Sequence, residues 1–249
     1  MSWSLTRLRP GDAFPPLSAA LPAHAPYPGL LAAGGRLDAR TLRAAYAQGI
    51  FPWFDADEPP LWWSPDPRMV LLPQALRVSR TLRRSARRRL ADARWSVRVD
   101  CDFRGVMLAC AAPRRRGPGT WIGASVVDAY CALHAEGLAH SFELYCDAQR
   151  VAGLYLVNLG AMLFGESMYT RVDDGSKLLL MALCGFAQRH GLGPIDCQQQ
   201  TAHLASMGAR AWPRDAFVQA LERARHRAAP APWHYDAAQM RSDCAAWLS

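Results

Sequence analysis

Several features that commonly identify a protein class are missing from this 249-residue sequence. The longest apolar stretch, residues 178–187, contains a glycine and is much shorter than the roughly 18 residues of a membrane-spanning helix. Residues 1–12 lack the apolar segment of a secretory signal peptide. The seven cysteines are scattered, with no C-x-x-C pair, which is typical of reduced thiols. We therefore expect a cytoplasmic protein with no membrane partner.

The sequence also lacks the short motifs of the common cofactor sites. It has no Walker loop, no G-x-S-x-G element and no dinucleotide fingerprint. Cys131, His134, His140 and Cys146 are near one another in sequence. They are predicted to lie on a helix, a turn and a strand, without the closely spaced ligand pairs of a zinc site. We expect neither a metal nor a cofactor.

Acidic residues are in the minority, at 21 against 29 basic residues, and nearly all of the excess is arginine. A net charge of +8 is compatible with a polyanionic partner. One face of a predicted helix and a second cluster at residues 114–116 carry much of this charge. A solvated helix face and a nucleic-acid contact both remain open as explanations. The residues that share the helix face by their spacing are Arg80, Arg84, Arg87 and Arg88.

The chain is long enough for one or two domains, and its 51% hydrophobic content predicts a substantial core. Residues 1–36 and the tail from residue 228 are predicted to be irregular. The mixture of helices and alternating strands predicts an α+β fold. Hydrophobic periodicity predicts helices at 38–48, 103–111, 125–136, 176–190 and 215–225, and strands at 69–72, 96–99, 141–146, 151–159, 163–169 and 194–198.

Residues 49–68, GIFPWFDADEPPLWWSPDPR, contain three tryptophans and five prolines. Each proline lacks a backbone donor and biases the preceding residue toward extended geometry. This composition predicts a rigid, irregular connector that is neither a regular helix nor an inner strand. We place a domain boundary near residue 66, which separates domains 1–66 and 67–249.

Three polar residues stand out as candidates for chemistry. Asp196 and Gln198 are two apart on a predicted strand, so we expect them on one face, where a carboxylate and an amide could handle a proton or a cation. A structural cap is the simpler role for such an aspartate. Glu166 lies in an apolar segment and must be paired or face a cavity. A salt bridge and an ammonium-binding role both remain open for it.

The alternating strands followed by TRVDDGSK suggest the acetyltransferase fold. In that fold a glycine-rich loop that opens a helix binds the pyrophosphate of coenzyme A. Here the corresponding loop carries Asp173 and Asp174 and a single glycine. Two carboxylates would repel a pyrophosphate, so the sequence is compatible with this fold but disfavours coenzyme A.

Several segments occur together in one order: GLLAAGGRLDARTLRAAYAQGIFPWF, LWWSPDPRMVL, GTWI, AYCALHAEGLAHSFELY, FGESMYTR, IDCQ and TAHLASMGAR. Together they resemble the leucyl/phenylalanyl-tRNA–protein transferase family over residues 29–217. The resemblance implies a bacterial cytoplasmic enzyme with a small N-terminal domain and a C-terminal domain related to the acetyltransferase (GNAT) fold, and we expect it to be a monomer. It also implies transfer of leucine, phenylalanine or some methionine from aminoacyl-tRNA to an N-terminal arginine or lysine, which marks a protein for degradation.

The resemblance further implies roles for individual residues. Asp196 would accept or relay the proton of the attacking amine, or only position that amine, and Gln198 would hold the reacting group. Glu166 would bind the acceptor's cationic side chain or the donor's amino group. The arginine face would contact tRNA phosphates, while Trp62 and Trp63 would be structural. The aromatic residues that would line or flank the donor site are Trp53, Trp121, Tyr130 and Phe164.

Three alternatives remain at this point. An acetyltransferase that uses coenzyme A would share the fold but lacks its pyrophosphate loop here. An RNA-binding module without catalysis would explain the arginines but not Asp196 and Gln198. A peptidoglycan-type aminoacyl-tRNA transferase would share the donor and differ in the acceptor.

Overall fold

The computed structural model describes residues 4–55, 58–112 and 121–248. The N-terminal part contains a four-stranded sheet in the order β1-β2-β4-β3, with one helix, α1, between β2 and β3. β1 and β2 are parallel, and the other neighbours are antiparallel. The elements are β1 (Thr6–Leu8), β2 (Leu30–Gly34), α1 (Ala39–Tyr46), β3 (Phe51–Pro52) and β4 (Leu61–Trp63).

Two expectations for this part were wrong. Residues 1–36 are not wholly irregular, because they contain β1 and β2. The proline-rich segment does supply an inner strand, since β4 pairs with β2 on one side and β3 on the other. The prolines flank β4, so the backbone N–H groups of β4 itself are available for strand pairing. Trp62 is fully buried and donates Nε1–H to the Gly34 carbonyl at 2.9 Å. Pro52 lies on β3, an edge strand, where a missing donor is tolerated.

The larger part is built on a seven-stranded sheet in the order β11-β5-β10-β9-β8-β7-β6. β9 and β10 run parallel, and every other neighbouring pair is antiparallel. The strands are β5 (Arg68–Leu71), β6 (Trp95–Val99), β7 (Ala139–Cys146), β8 (Gln149–Leu159), β9 (Met162–Thr170), β10 (Ile195–Gln198) and β11 (Arg210–Trp212). All six predicted strands are confirmed, and β11 was missed.

The predicted helices of this part are also confirmed, with small shifts at their ends. The helices are α2 (Arg80–Leu90), α3 (Phe103–Ala111), α4 (Ala124–Ala135), α5 (Gly175–Arg189), α6 (Ala202–Ser206), α7 (Arg214–Arg225) and α8 (Ala237–Cys244). Of these, α6 and α8 were not predicted. The helix α5 begins at Gly175, one residue before its predicted start. The N-cap is Asp174, which adopts a left-handed conformation with φ of 58°.

The C-terminal tail is more ordered than its composition indicates. Asp236 and Gln239 form a reciprocal capping box at the start of α8. Met240 and Cys244, one helical turn apart, are buried against α5. The prediction of little structure after residue 228 was therefore wrong, because a few spaced apolar residues suffice to dock a short helix onto an existing core.

The described part of the chain forms a mixed α+β fold with a smaller N-terminal and a larger C-terminal sheet. The boundary near residue 66 stays a prediction. Among the described residues, no helix combines the length and apolarity needed to cross a bilayer.

Candidate active site

The candidate site forms where the parallel strands β9 and β10 separate. Their pairing is limited to Leu163 with Ile195 and Phe164 with Asp196. Two residues further along β9, Glu166 is an extra residue in a bulge, because Gly165 and Ser167 pair with consecutive residues of β8. Bulges re-aim side chains and are common next to active sites. Here the bulge turns Glu166 toward the gap between the two strands.

A second irregularity places Gln198 opposite this glutamate. The register of β10 against β5 shifts between Asp196 and Gln198, so Cys197 is the extra residue. Gln198 has a φ of 63°, which is uncommon for a residue with a side chain. The strict alternation that would place Asp196 and Gln198 on one face therefore breaks at Cys197, and that expectation was wrong.

Glu166 accepts three hydrogen bonds. The Tyr46 hydroxyl donates to Oε1 at 2.7 Å, the Tyr130 hydroxyl to Oε2 at 3.1 Å, and Gln198 Nε2 to Oε1 at 3.1 Å. Burial raises the pKa of Glu166 to about 7, and the charge of Asp196 adds to this, while the three hydrogen bonds oppose it. A carboxylate with such a pKa can exchange a proton near neutral pH.

Asp196 is fully buried and bound to a buried arginine. Arg68 donates Nε–H to Oδ1 at 2.8 Å and Nη2–H to Oδ2 at 2.6 Å. The same guanidinium donates to the Gly49 carbonyl and lies 4.7 Å and 4.5 Å from the ring centroids of Phe51 and Phe217. This pairing and hydrogen bonding offset the cost of burying a carboxylate away from solvent.

The ion pair of Arg68 and Asp196 is connected to the site through the backbone N–H of Gln198. Asp196 Oδ1 accepts the Gln198 backbone N–H at 2.8 Å, which fixes the unusual conformation of that residue. The Gln198 side chain then meets Glu166. Asp196 therefore contacts the backbone of Gln198, whereas the side chains of Gln198 and Glu166 contact each other.

An apolar cavity of about 390 Å³ opens beside Glu166, between β9, β10 and α5. Glu166 and His203 supply polar groups to its wall. Such a cavity suits one branched or aromatic apolar side chain with a polar group at its end. We call it the apolar cavity, and its aliphatic lining comes from Leu154, Leu156, Leu180, Leu183, Ile195 and Leu204.

The predicted aromatic residues do not share one location. Tyr130 and Phe164 are fully buried and flank the site, since Tyr130 binds Glu166 and the Phe164 ring lies 4.8 Å from that of Tyr46. Trp53 is 44% exposed and lines a separate cavity of about 480 Å³ in the N-terminal part. Trp121 is partly buried and packs against the core.

The arginine face of α2 forms as predicted. Ser79 caps the helix by accepting the Leu82 N–H, and the apolar side of α2 packs inward. Arg89 is buried instead, where it donates to the Asp173 carbonyl and lies 4.8 Å from the Trp95 ring centroid. The cluster at residues 114–116 lies outside the described residues. The four predicted members, Arg80, Arg84, Arg87 and Arg88, are all exposed.

One group in the described residues has the composition of a metal site: Asp100, His134 and His140. Its ligand atoms already have protein partners. His140 Nδ1 lies 2.7 Å from Asp100 Oδ2, and His134 Nδ1 lies 2.7 Å from the Ala139 carbonyl oxygen. The group includes two of the four residues considered from the sequence, and neither Cys131 nor Cys146 belongs to it.

Sequence reasoning missed two residues that hold the site together. Tyr46 lies within the helix predicted at 38–48, and its hydroxyl donates to Glu166 across 120 residues of sequence. Arg68 ends the SPDPR motif, and its partner Asp196 is 128 residues away. A single arginine among many gives no local sign that it is buried.

Comparison with known proteins gives a consistent result. The family model described as leucyl/phenylalanyl-tRNA protein transferase matches residues 70–222, and the model of that family's N-terminal domain matches residues 35–66. Proteins named leucyl/phenylalanyl-tRNA–protein transferase from Cupriavidus taiwanensis and Paraburkholderia xenovorans are each 53% identical over 230 residues. Those matches cover 92% of this chain and 92% and 94% of the relatives.

A relative of the same name from Cupriavidus metallidurans is 49% identical over 246 residues, which cover 98% of this chain and 97% of that protein. Among solved structures, FemX is similar with a TM-score of 0.43 and 12% identity, over 73% of this chain and 70% of that one. On the strength of the family models and these relatives, the chain belongs to the leucyl/phenylalanyl-tRNA–protein transferase family and is an aminoacyltransferase enzyme.

Proposed function

We propose that this chain transfers leucine or phenylalanine, and some methionine, from aminoacyl-tRNA to the N-terminal arginine or lysine of a protein. The product would carry a destabilising N-terminus and enter the N-degron degradation route. The observation that supports this most directly is a partly buried carboxylate, Glu166, at the wall of an apolar cavity of about 390 Å³. That combination suits an apolar amino acid whose polar end meets an amine.

The apolar cavity would select the donor side chain. Burial of a leucine or phenylalanine side chain contributes roughly 1.5–3 kcal/mol. That is enough to reject polar amino acids but not to separate apolar side chains of similar size. Acceptance of leucine, phenylalanine and some methionine by one cavity follows from this.

The reaction joins the acceptor's amine nitrogen to the ester carbonyl carbon of the donor. The carbon–oxygen bond to the tRNA ribose breaks, the amine loses a proton, and the ribose oxygen gains one. An α-amine has a pKa of about 8, so at neutral pH most of it must first lose a proton. We assign the proton-accepting or ammonium-binding role to Glu166, because its pKa of about 7 lies close to that of the amine.

Glu166 keeps capacity for a ligand despite its three protein donors. A carboxylate has about four acceptor positions, and Oε2 accepts only from Tyr130. Gln198 would orient the reacting groups beside it. Asp196 would be a positioning residue that holds Gln198 through its backbone, rather than a group that touches substrate.

The tRNA would contact two further surfaces. Either Trp53 or Trp121 would stack on the terminal adenosine, a contact that is worth roughly 1–3 kcal/mol per base. Arg80, Arg84, Arg87 and Arg88 would bind acceptor-stem phosphates, which position the tRNA without reading its sequence.

The fold assignment that accompanies this function is a C-terminal domain related to the acetyltransferase (GNAT) fold, behind a small N-terminal domain of residues 1–66. Support comes from the separation of the parallel strands β9 and β10 beside the apolar cavity. Coenzyme A is disfavoured by Asp173 and Asp174 before α5. We also propose that the chain acts in the cytoplasm as a monomer.

Transfer of radiolabelled leucine from Leu-tRNA to peptides that begin with arginine, lysine or alanine tests the function. We expect label on the arginine and lysine peptides and none on the alanine peptide. Bound tRNA without transfer to any peptide would contradict the proposal and favour an RNA-binding module. Transfer only to an amine that is not at a protein N-terminus would favour another acceptor class.

A further inference from the structure

A second cavity, of about 310 Å³, lies next to the apolar cavity and has a mixed lining with several cationic and hydroxyl residues. Three of the residues that line it can carry positive charge: Arg77 before α2, Lys177 on α5 and His203 on α6. The hydroxyl residues Ser79 and Ser206 complete its polar lining. Among the described residues that line it, none is acidic. We call this cavity the cationic pocket.

The backbone around the cationic pocket is held firmly. The Arg77 N–H donates to the Met207 carbonyl at 2.9 Å, which ties the segment before α2 to the end of α6. Gly208 has a φ of 103°, and a side-chain carbon there would collide with the Ala75 carbonyl. Two segments that approach this closely place Arg77 and His203 around one space.

The cations keep donors for a ligand. Lys177 Nζ donates at 3.0 Å to Oδ1 of Asp174, which is thereby paired and does not line the pocket, and an ammonium group has three N–H donors, so two remain. Within the described part of the chain, the Arg77 guanidinium has neither an ion-pair partner nor a side-chain hydrogen bond, and it is exposed. An anion in this pocket would therefore meet available N–H groups on two sides.

The sequence adds an independent observation. Lys177 is the only lysine in the sequence. The other 28 of its 29 lysine and arginine residues are arginines. Lysine presents a compact point charge on a flexible stem, and it binds a phosphate without the fixed fork geometry of arginine. The one position with this chemistry lies in the wall of the cationic pocket.

His203 lines both cavities. In an aminoacyl-tRNA, the amino-acid ester and the 5′-phosphate belong to the same terminal ribose. A donor with its side chain in the apolar cavity would therefore carry this phosphate past His203 toward the cationic pocket. Leu82, in the first turn of α2, also lines the pocket, so the arginine face continues from it along the helix.

We propose that the cationic pocket binds the phosphate attached to the aminoacylated terminal nucleotide, with Arg77 and Lys177 as its ligands. This inference rests on the proposed function, because it takes the apolar cavity as the place of the donor's amino acid. It adds a subsite that recognises the 5′-phosphate of the donor's terminal nucleotide. This subsite is separate from the proposed acceptor-stem contacts of α2.

Two minimal donors test this: phenylalanine esterified to adenosine, and the same ester of adenosine 5′-monophosphate. We expect wild-type kcat/KM to favour the phosphorylated donor by about ten- to a hundredfold, the value of hydrogen bonds to a charged group. In the double variant Arg77→Gln/Lys177→Gln the ratio of the two donors should fall toward one. Arg241→Gln, which removes an exposed arginine of α8, should keep the wild-type ratio.

A ratio near one in the wild type, or an unchanged ratio in the double variant, would overturn the subsite while leaving the proposed transfer intact. If neither donor were active, a binding measurement would still test the subsite. Reductive ¹³C-methylation of the chain labels Lys177 and the N-terminal amine, and Lys177→Arg identifies the lysine signal by its loss. Adenosine 5′-monophosphate should shift that signal and adenosine should not; equal shifts, or none, would contradict the subsite even if no donor were active.

Discussion

Glu166 is a carboxylate whose acidity reflects two opposing influences. Burial and the nearby charge of Asp196 favour its neutral form, while the hydroxyls of Tyr46 and Tyr130 and the amide of Gln198 favour the ionised form. The same burial raises the pKa values of both tyrosines well above their usual range, so they remain donors. The result is a carboxylate that is protonated below neutral pH and ionised above it.

This acidity predicts the pH dependence of transfer. Only ionised Glu166 can accept a proton or bind an ammonium group, so activity should fall as pH drops through about 7. The substrate amine, with a pKa of about 8, adds a second loss. Below both values, log kcat/KM should rise with a slope of about two in the wild type and about one in Glu166→Gln.

Glu136→Gln is the matched control for this pH profile. Glu136 is exposed and has only a loose 3.6 Å contact with Arg43. This variant should keep both steps of the wild-type profile. If Glu166→Gln also kept the steeper slope, Glu166 would not be the titrating group.

The pair of Arg68 and Asp196 predicts a large stability effect. Arg68→Met leaves the Asp196 carboxylate buried without its partner, which should lower the free energy of unfolding by about 3–5 kcal/mol. Arg104→Met breaks an exposed pair with Asp128 and should leave the urea midpoint almost unchanged. Similar midpoint shifts in both variants would contradict the assignment of a special role to the buried pair.

At the scale of elements, the strands were predictable and their irregularities were not. Alternating apolar residues at 141–146 located β7, although residues 139–144 are buried on both faces of the sheet. The bulges at Glu166 and Cys197 depend on the register against neighbouring strands, which no single strand's sequence contains. Glu166 was identifiable as a polar residue in an apolar segment, but its partners were not.

The contact between α5 and α8 yields a prediction for a helical glycine. Gly185→Ala in a helix interior ordinarily stabilises by about 1 kcal/mol. Here the added carbon would lie 2.5 Å from Asp243 Cβ, so α8 would have to move. We expect a lower thermal midpoint for Gly185→Ala, whereas Gly137→Ala probes a glycine at φ 71° with open space around it.

The two glycine variants separate crowding from backbone strain. Gly137→Ala should lower the midpoint through its left-handed backbone alone and leave α8 in place. Faster amide exchange in residues 237–244 should therefore appear only in Gly185→Ala. A raised midpoint in Gly185→Ala would show that α8 does not pack on α5 as described.

At the scale of the whole molecule, positive charge is abundant and its placement matters. The chain carries a net charge of +8, and four exposed arginines share one side of α2. Each arginine that neutralises a tRNA phosphate releases counterions, so affinity depends on salt. Arg84→Gln should reduce the slope of log affinity against log salt by about one unit.

Arg223→Gln on α7 is the matched control for the salt experiment, because Arg223 is also exposed and lies outside the predicted tRNA face. Its slope in a filter-binding titration should equal that of the wild type. Equal slopes for all three proteins would remove Arg84 from the tRNA contact.

The parts of the molecule that escaped prediction share a cause. β4, α8 and the partners of Glu166 are each stabilised by contacts with distant segments, whereas composition reports local preference. Proline content argued against β4, yet Trp62 gains full burial there. Tertiary packing overrides local propensity at these positions.

The hydroxyls of Tyr46 and Tyr130 meet on Glu166 from separate helices, and 120 residues of chain separate Tyr46 from this carboxylate. Closing loops of that length is the slow part of folding, while helices form early and locally. In a refolding time course, helical circular dichroism should therefore recover before transferase activity does. We expect transferase activity to be the last property that the refolding chain recovers.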